Sequence, residues 1–220
     1  MRREKAAPIF RCGFFVGWKK ESGMRSKLIT TCLTAAMLLW QSTASAQPLQ
    51  TVPEVDLQRY LGKWYEIASI PQYFQRQCVG DAMAEYALAG ADIAVTNSCR
   101  TETGERSVAQ GRARVVDAAS RAKLEVTFVK LFGWLYLLGG DYWVIDLAPD
   151  YRYAVVGHPD RDYAWILSRQ PALAMPDLIA IEQRLRENGY DSCALLTTVQ
   201  SGGMSERMPL CTAVENRKTQ

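Results

Sequence analysis

The chain has 220 residues, of which 48% are hydrophobic and 22% charged, a balance that suits one globular domain with a sizeable core. Its formal charge of +3 resides in the N-terminus: residues 1–46 hold eight basic and two acidic residues. Without them 18 Lys and Arg face 21 Asp and Glu, a net of −3, so the basic balance gives no support to a nucleic-acid partner.

From Met24 the order is Arg25 and Lys27, an apolar run from Leu28 to Trp40, then Ala44-Ser45-Ala46. Positive, apolar and small residues in that order are a secretory signal with cleavage before Gln47, and the run is too short to span a membrane. Residues 1–23 precede that complete signal and carry Arg2, Arg3, Lys5, Arg11, Lys19 and Lys20. Met24 is therefore the expected start, the alternative being a long basic leader. Cys32 is a candidate for lipidation, although Ile29-Thr30-Thr31 before it departs from the small residue that modification favours. The expected location is the periplasm, either free there or associated with the outer membrane.

From Gly62 onward, short aromatic and β-branched runs alternate with turn signals, an all-β pattern. The expected strands are A 62–70, B 80–89, C 92–99, D 107–116, E 122–130, F 141–147, G 151–157 and H 163–169. Over 176–188 the period changes: Pro176 and Asp177 suit a helix start, Leu178, Ile181 and Leu185 form one stripe, and Gly189 supplies a stop. A last strand is expected over 194–199, and the tail 201–220, without periodicity, is expected to be loose and flexible. Eight strands with short connections remove their edges best by closing into an antiparallel up-and-down barrel; a jelly-roll sandwich is the rival. The domain limits are thus 1–46, 47–200 and 201–220.

The segment Tyr60-Leu61-Gly62-Lys63-Trp64-Tyr65-Glu66 carries a Gly-x-Trp motif, Asp150-Tyr151 follows Pro149 at the F–G turn, and Arg169 ends strand H. In that order the three resemble the signature of the lipocalin family over residues 55–200, with Pro149 where the family has Thr. The texture is that of the bacterial and apolipoprotein D-like branch. The resemblance implies that Gly62, Trp64, Asp150, Tyr151 and Arg169 are structural, with Trp64 across a closed barrel floor and Arg169 over its face. It also implies that Trp143 points inward, and that the cargo is a membrane lipid such as a fatty acid or lysophospholipid, held for envelope maintenance.

Alternation from Trp64 puts Glu66 and Ala68 inside, and along strand E it puts Leu124, Val126 and Phe128 inside. From Trp143 it adds Ile145; Tyr86 and Tyr153 are further lining candidates. An apolar cup of this kind suits a hydrophobic small molecule. Glu66 either meets the ligand's polar end or pairs with Tyr86 or an arginine as structure. Connections opposite the floor form the mouth, with Tyr73 and Phe74 on A–B and the apolar run 131–138, including Phe132, Trp134 and Tyr136, on E–F. That run either contacts lipid, membrane or protein, or extends strands E and F into the core. His158, Arg161 and Arg76 can meet a charged head group there, or are solvated loop charges.

Four cysteines remain after the signal, an even number in an exported chain, which favours disulfides over metal. The B–C hairpin brings Cys78 to Cys99, leaving Cys193 with Cys211; resemblance to apolipoprotein D-like relatives implies Cys78 with Cys211 as an alternative. No metal or cofactor motif is present, His158 is the one histidine, and no nucleophile motif supports an enzyme. The competing functions are an interaction module that docks a partner or forms a homodimer through the apolar E–F run, and an enzyme built on the same barrel.

Overall fold

A computed structural model describes residues 47–218; the signal segment, Met24 and Cys32 lie outside the described residues. Eight strands follow in chain order, β1 (Gly62–Ser69), β2 (Gly80–Ala89), β3 (Asp92–Arg100), β4 (Arg106–Val115), β5 (Lys123–Thr127), β6 (Gly140–Leu147), β7 (Tyr153–Gly157) and β8 (Ala164–Ser168). Each pairs antiparallel with its neighbour, and β1 pairs with both β8 and β2, which closes the barrel. A short helix α1 (Leu57–Tyr60) precedes β1, its first amides capped by the Asp56 carboxylate.

Closure is completed by a late element. Only the first half of β1 pairs with β2, from Gly62 with Tyr86 to Tyr65 with Met83. Beyond it the two strands part and β9 (Leu196–Thr197) pairs with Ala68 and Ser69 instead. The Gln200 amide spans the seam, donating to the carbonyls of Glu66 and Ala82 at 2.9 and 2.7 Å. Buried backbone carbonyls that the diverging strands leave open are satisfied this way.

Apolar side chains bury in two places. Inside the barrel, Trp64, Tyr86, Ile93, Val95, Leu124, Val144 and Leu167 pack together above Val55 and Tyr60. On the outer wall, Ile67, Ile145, Val155 and Ile166 pack under helix α2 (Met175–Glu187), whose Leu178, Ile181 and Leu185 form the buried stripe. The end of α2 follows the sequence, since Gly189 takes φ +81°, open to glycine at little cost.

The tail departs from expectation. Instead of a loose segment, residues 210–218 form helix α3 (Leu210–Lys218), with Leu210, Cys211, Ala213 and Val214 buried. Leu210 and Val214 join the cluster under α2. The tail has too few apolar residues to show a stripe, yet the disulfide Cys193–Cys211 holds it where those few bury. Cys78 pairs with Cys99, with Cα atoms 5.5 Å apart, so the Cys78–Cys211 alternative is not formed.

Candidate functional site

The floor is built from the sequence motif upward. Gly62 has φ +89°, a left-handed conformation that a Cβ would strain, and it turns the chain from α1 into β1. Trp64 is fully buried, and its indole donates to the Tyr60 carbonyl at 2.8 Å. Arg169 lies 3.7 Å from the centre of the indole ring and donates to the carbonyls of Lys63 and Arg59. At the β6–β7 turn the Asp150 carboxylate accepts from the Arg152 amide, which holds that acid below its ordinary range. Tyr151, at φ +65°, accepts from the Asp56 amide through its hydroxyl. The motif residues therefore tie α1, β1 and β8 into one closed end.

Above this floor, strand register decides what faces the lumen. Leu124 pairs with Tyr142, and Tyr86 pairs with Val95, so Leu124, Tyr142, Tyr86 and Val95 share the inner face. Val126 lines the same space, and the Phe128 ring lies against Gly111, where a Cβ would come within 2.8 Å of it. A cavity of about 10 Å³, room for one water-sized group, lies among Leu57, Tyr60, Tyr86, Leu124, Val126 and Tyr142.

Four expected lining residues are elsewhere. Trp143 and Ile145 face outward: Trp143 packs at the edge of the cluster under α2, with the Lys123 ammonium 4.3 Å from its ring centre. Tyr142 and Val144 take the inner positions. Both faces of β6 are covered, so its residues are apolar on both sides and alternation cannot tell lumen from outside. Tyr153 also sits under α2 rather than in the lumen. Ala68 is turned out by a bulge between Glu66 and Ala68, which shifts the parity of β1 by one residue.

Glu66 does face in, buried at 8% exposure. Its partners are neither Tyr86 nor an arginine: Ser69 and Thr198 donate to Oε1 at 3.0 and 2.6 Å, and Gln75 donates to Oε2 at 3.1 Å. With three donors from β1, the following loop and the β9 segment, this carboxylate serves the seam.

The mouth is also redistributed. Tyr73 and Phe74 are exposed on the β1–β2 loop, ring against ring at 5.4 Å. Phe132 is fully exposed on the β5–β6 loop. Trp134 and Tyr136, however, fold back over the outer wall rather than lining the opening. The Arg112 and Lys130 cations each lie 5.4 Å from the centre of the Trp134 ring. Tyr136 covers Arg114 at 4.2 Å and donates to Asp92 at 3.1 Å; burial and then that carboxylate push its pKa up to about 12. Arg112 and Arg114 flank the inward Ala113 and so point outward, and the two aromatic rings follow them.

His158 and Arg161 are committed as well. The Arg161 guanidinium donates to the carbonyls of Asn188, Pro159 and Gln47, and His158 Nδ1 accepts from the Asp160 amide at 3.2 Å. Neither is held out toward the opening as a free head-group ligand. Arg76 is exposed at the end of the β1–β2 loop turn.

Missing from the sequence reading is a chain of phenols. Tyr60 and Tyr86 each hydrogen-bond the Tyr142 hydroxyl, at 2.8 and 2.9 Å. Burial raises all three above their ordinary pKa, Tyr86 to about 12. The signal for Tyr142 was its hairpin register with Leu124; for Tyr60, before β1, there was none.

Residues 55–200 match the family model described as a lipocalin-like domain. The chain is 38% identical over 156 residues to temperature-induced lipocalin-1 of Arabidopsis thaliana, covering 70% of this chain and 83% of that one. It is 33% identical over 186 residues to the outer membrane lipoprotein Blc of Escherichia coli K12, covering 81% and 99%. It is 33% identical over 156 residues to mouse apolipoprotein D, covering 66% and 77%. Among solved structures, insecticyanin of the tobacco hornworm Manduca sexta aligns with TM-score 0.58 at 22% identity, over 75% of this chain and 95% of that one, a likeness of fold.

Proposed function

The chain belongs to the lipocalin family, and from that we propose that it binds a hydrophobic, lipid-like ligand in the barrel and stores or carries it without chemical change. One observation carries the reading: the inner wall around Leu124, Val126, Ile93 and Ala113 is apolar and ends on a floor closed by Trp64. Burying apolar surface contributes about 25 cal/mol per Å², so sequestering most of an acyl chain supports micromolar affinity after ordering costs. Fatty acids and lysophospholipids are cargo of this kind. Relatives named as outer membrane lipoproteins support a place in the bacterial envelope, exported and at or near the outer membrane. Among the described residues no helix is long and apolar enough to cross a membrane. Native mass spectrometry of the purified protein tests the reading: about one lipid per chain, released with unaltered mass, is expected. An empty barrel that takes up no added lipid would overturn it.

A second reading rests on the β5–β6 loop, where Leu131, Phe132, Leu137 and Leu138 are 69, 101, 95 and 62% exposed. An apolar cluster this open suits docking to a membrane, a partner or a second copy. Sedimentation with and without vesicles separates these outcomes from a loop that contacts nothing.

A further inference from the structure

The β5–β6 connection is a built projection rather than a slack loop. Lys130 and Trp134 pair as a β-bridge, the Leu131 amide donates to the Gly133 carbonyl and the Leu135 amide to that of Val129, and Tyr136–Leu138 form a 3-10 turn. This frame holds the Leu131, Phe132, Leu137 and Leu138 side chains out in water. Exposure grows outward along the chain, from Val126 in the lumen wall through Phe128 at 44% to Phe132, so an apolar path joins the lumen to the tip. Tyr73 and Phe74 are exposed on the β1–β2 connection, which the strand order places across the opening.

The makeup of the tip restricts what covers it. Residues 128–140 contain no acid and one base, Lys130, and none of the four open side chains has a hydrogen-bonding group. A stable protein interface engages about 20–30 residues a side and about ten hydrogen bonds, which a tip of four side chains does not supply. Hydrocarbon requires no hydrogen bond at all. Behind the tip stand Trp134, with the Arg112 and Lys130 cations near its ring, and Tyr136 over Arg114. Apolar ends backed by a tier of Trp, Tyr, Lys and Arg match the order of a bilayer from acyl chains to headgroups. The chain also enters the barrel from this end. Arg161 on the β7–β8 connection holds the Gln47 carbonyl, and from there the chain descends the outer wall, burying Leu49 beneath α2, to Val55, whose amide donates to Ser120 by the floor. Six residues separate Trp40 from Gln47, so the apolar export signal is attached at the mouth end and not at the floor.

We infer that the open end of the barrel docks on a lipid bilayer with the β5–β6 tip inserted among the acyl chains, and that cargo passes between bilayer and lumen along Phe128 without crossing water. This rests on the barrel being a lipid carrier, and it selects the membrane among the surfaces that the loop suits.

Stopped-flow transfer of dansylamino-undecanoate from the exported protein to phosphatidylethanolamine–phosphatidylglycerol vesicles, read by energy transfer to a rhodamine lipid, tests it. Docking makes the rate rise in proportion to vesicle concentration, whereas release through water makes it independent of vesicles. Phe132→Ser with Leu137→Ser is expected to slow transfer at least about tenfold, the scale of two large apolar side chains no longer buried, with probe affinity unaltered. Leu131→Ser with Leu138→Ser, on the same tip, should do the same. A rate independent of vesicle concentration, or variants that transfer as fast as wild type, overturns docking while the carrier reading stands. A shift from dimer to monomer in the variants without slower transfer assigns the tip to a second copy and overturns docking likewise. Failure to bind the probe overturns the carrier reading and docking with it.

Discussion

Arg169 shows how one side chain closes the barrel floor: its guanidinium joins the Trp64 ring to the ends of α1 and β1. Arg169→Ala removes a cation–π contact and two carbonyl hydrogen bonds, and is expected to cost about 2 kcal/mol in urea unfolding. Gly62→Ala places a Cβ at φ +89° and should cost about 1–2 kcal/mol, with no hydrogen bond lost. The buried phenols give a pH dependence of definite sign. A phenol whose folded pKa lies above its unfolded value of about 10 stabilises the fold in full below that pH. That stabilisation is lost as pH rises toward the Tyr86 value of about 12. Stability is therefore expected to fall between about pH 10 and 12, Tyr86 alone accounting for about 3 kcal/mol, and Tyr86→Phe should flatten the decline. A denaturation series across that window that shows no such flattening would remove Tyr86 as the cause.

At the level of elements, the C-terminal region is part of the barrel's closure. Thr198 and Gln200 satisfy Glu66 and the β1–β2 seam, while α3 covers the outer cluster from a position held by Cys193–Cys211. Replacing both cysteines by serine opens a loop of 18 residues and should cost about 3 kcal/mol. Leu210→Ala, at a fully buried position, should cost a similar amount, about 3 kcal/mol. Thermal unfolding checks both, and a melting temperature equal to wild type in either variant would show α3 to be dispensable. The tail's few apolar residues gave no period to read, so this element was illegible in the sequence. The strands, by contrast, were legible to within a few residues, because Gly90, Gly104 and the Pro149-Asp150 turn punctuate them.

Across the whole molecule, the apolar residues divide between lumen, outer cluster and exposed loop. The loop residues stabilise nothing that the structure shows: Phe132 and Leu137 are almost entirely open. Exchanging both for serine should change unfolding free energy by less than about 0.5 kcal/mol. If the loop docks, the same exchange should abolish pelleting with vesicles or shift a dimer to monomer, read by sedimentation. Cargo in the lumen should act oppositely, raising stability by about 2.7 kcal/mol at a ligand concentration 100 times Kd.

Turn residues at regular intervals and the Gly62, Trp64, Asp150, Tyr151 and Arg169 motifs determine an eight-stranded barrel with one closed end, because those features act locally, within a turn or a strand end. The lining of the lumen was decided only by tertiary structure. A one-residue bulge after Glu66 reverses Ala68, and a helix over β6 makes its outer face as apolar as its inner one, so Trp143 and Ile145 leave the lumen and Tyr142 enters it. The pairing of Tyr142 with Tyr60 and Tyr86 joins residues 82 and 56 positions apart, a contact that no periodicity along one strand encodes.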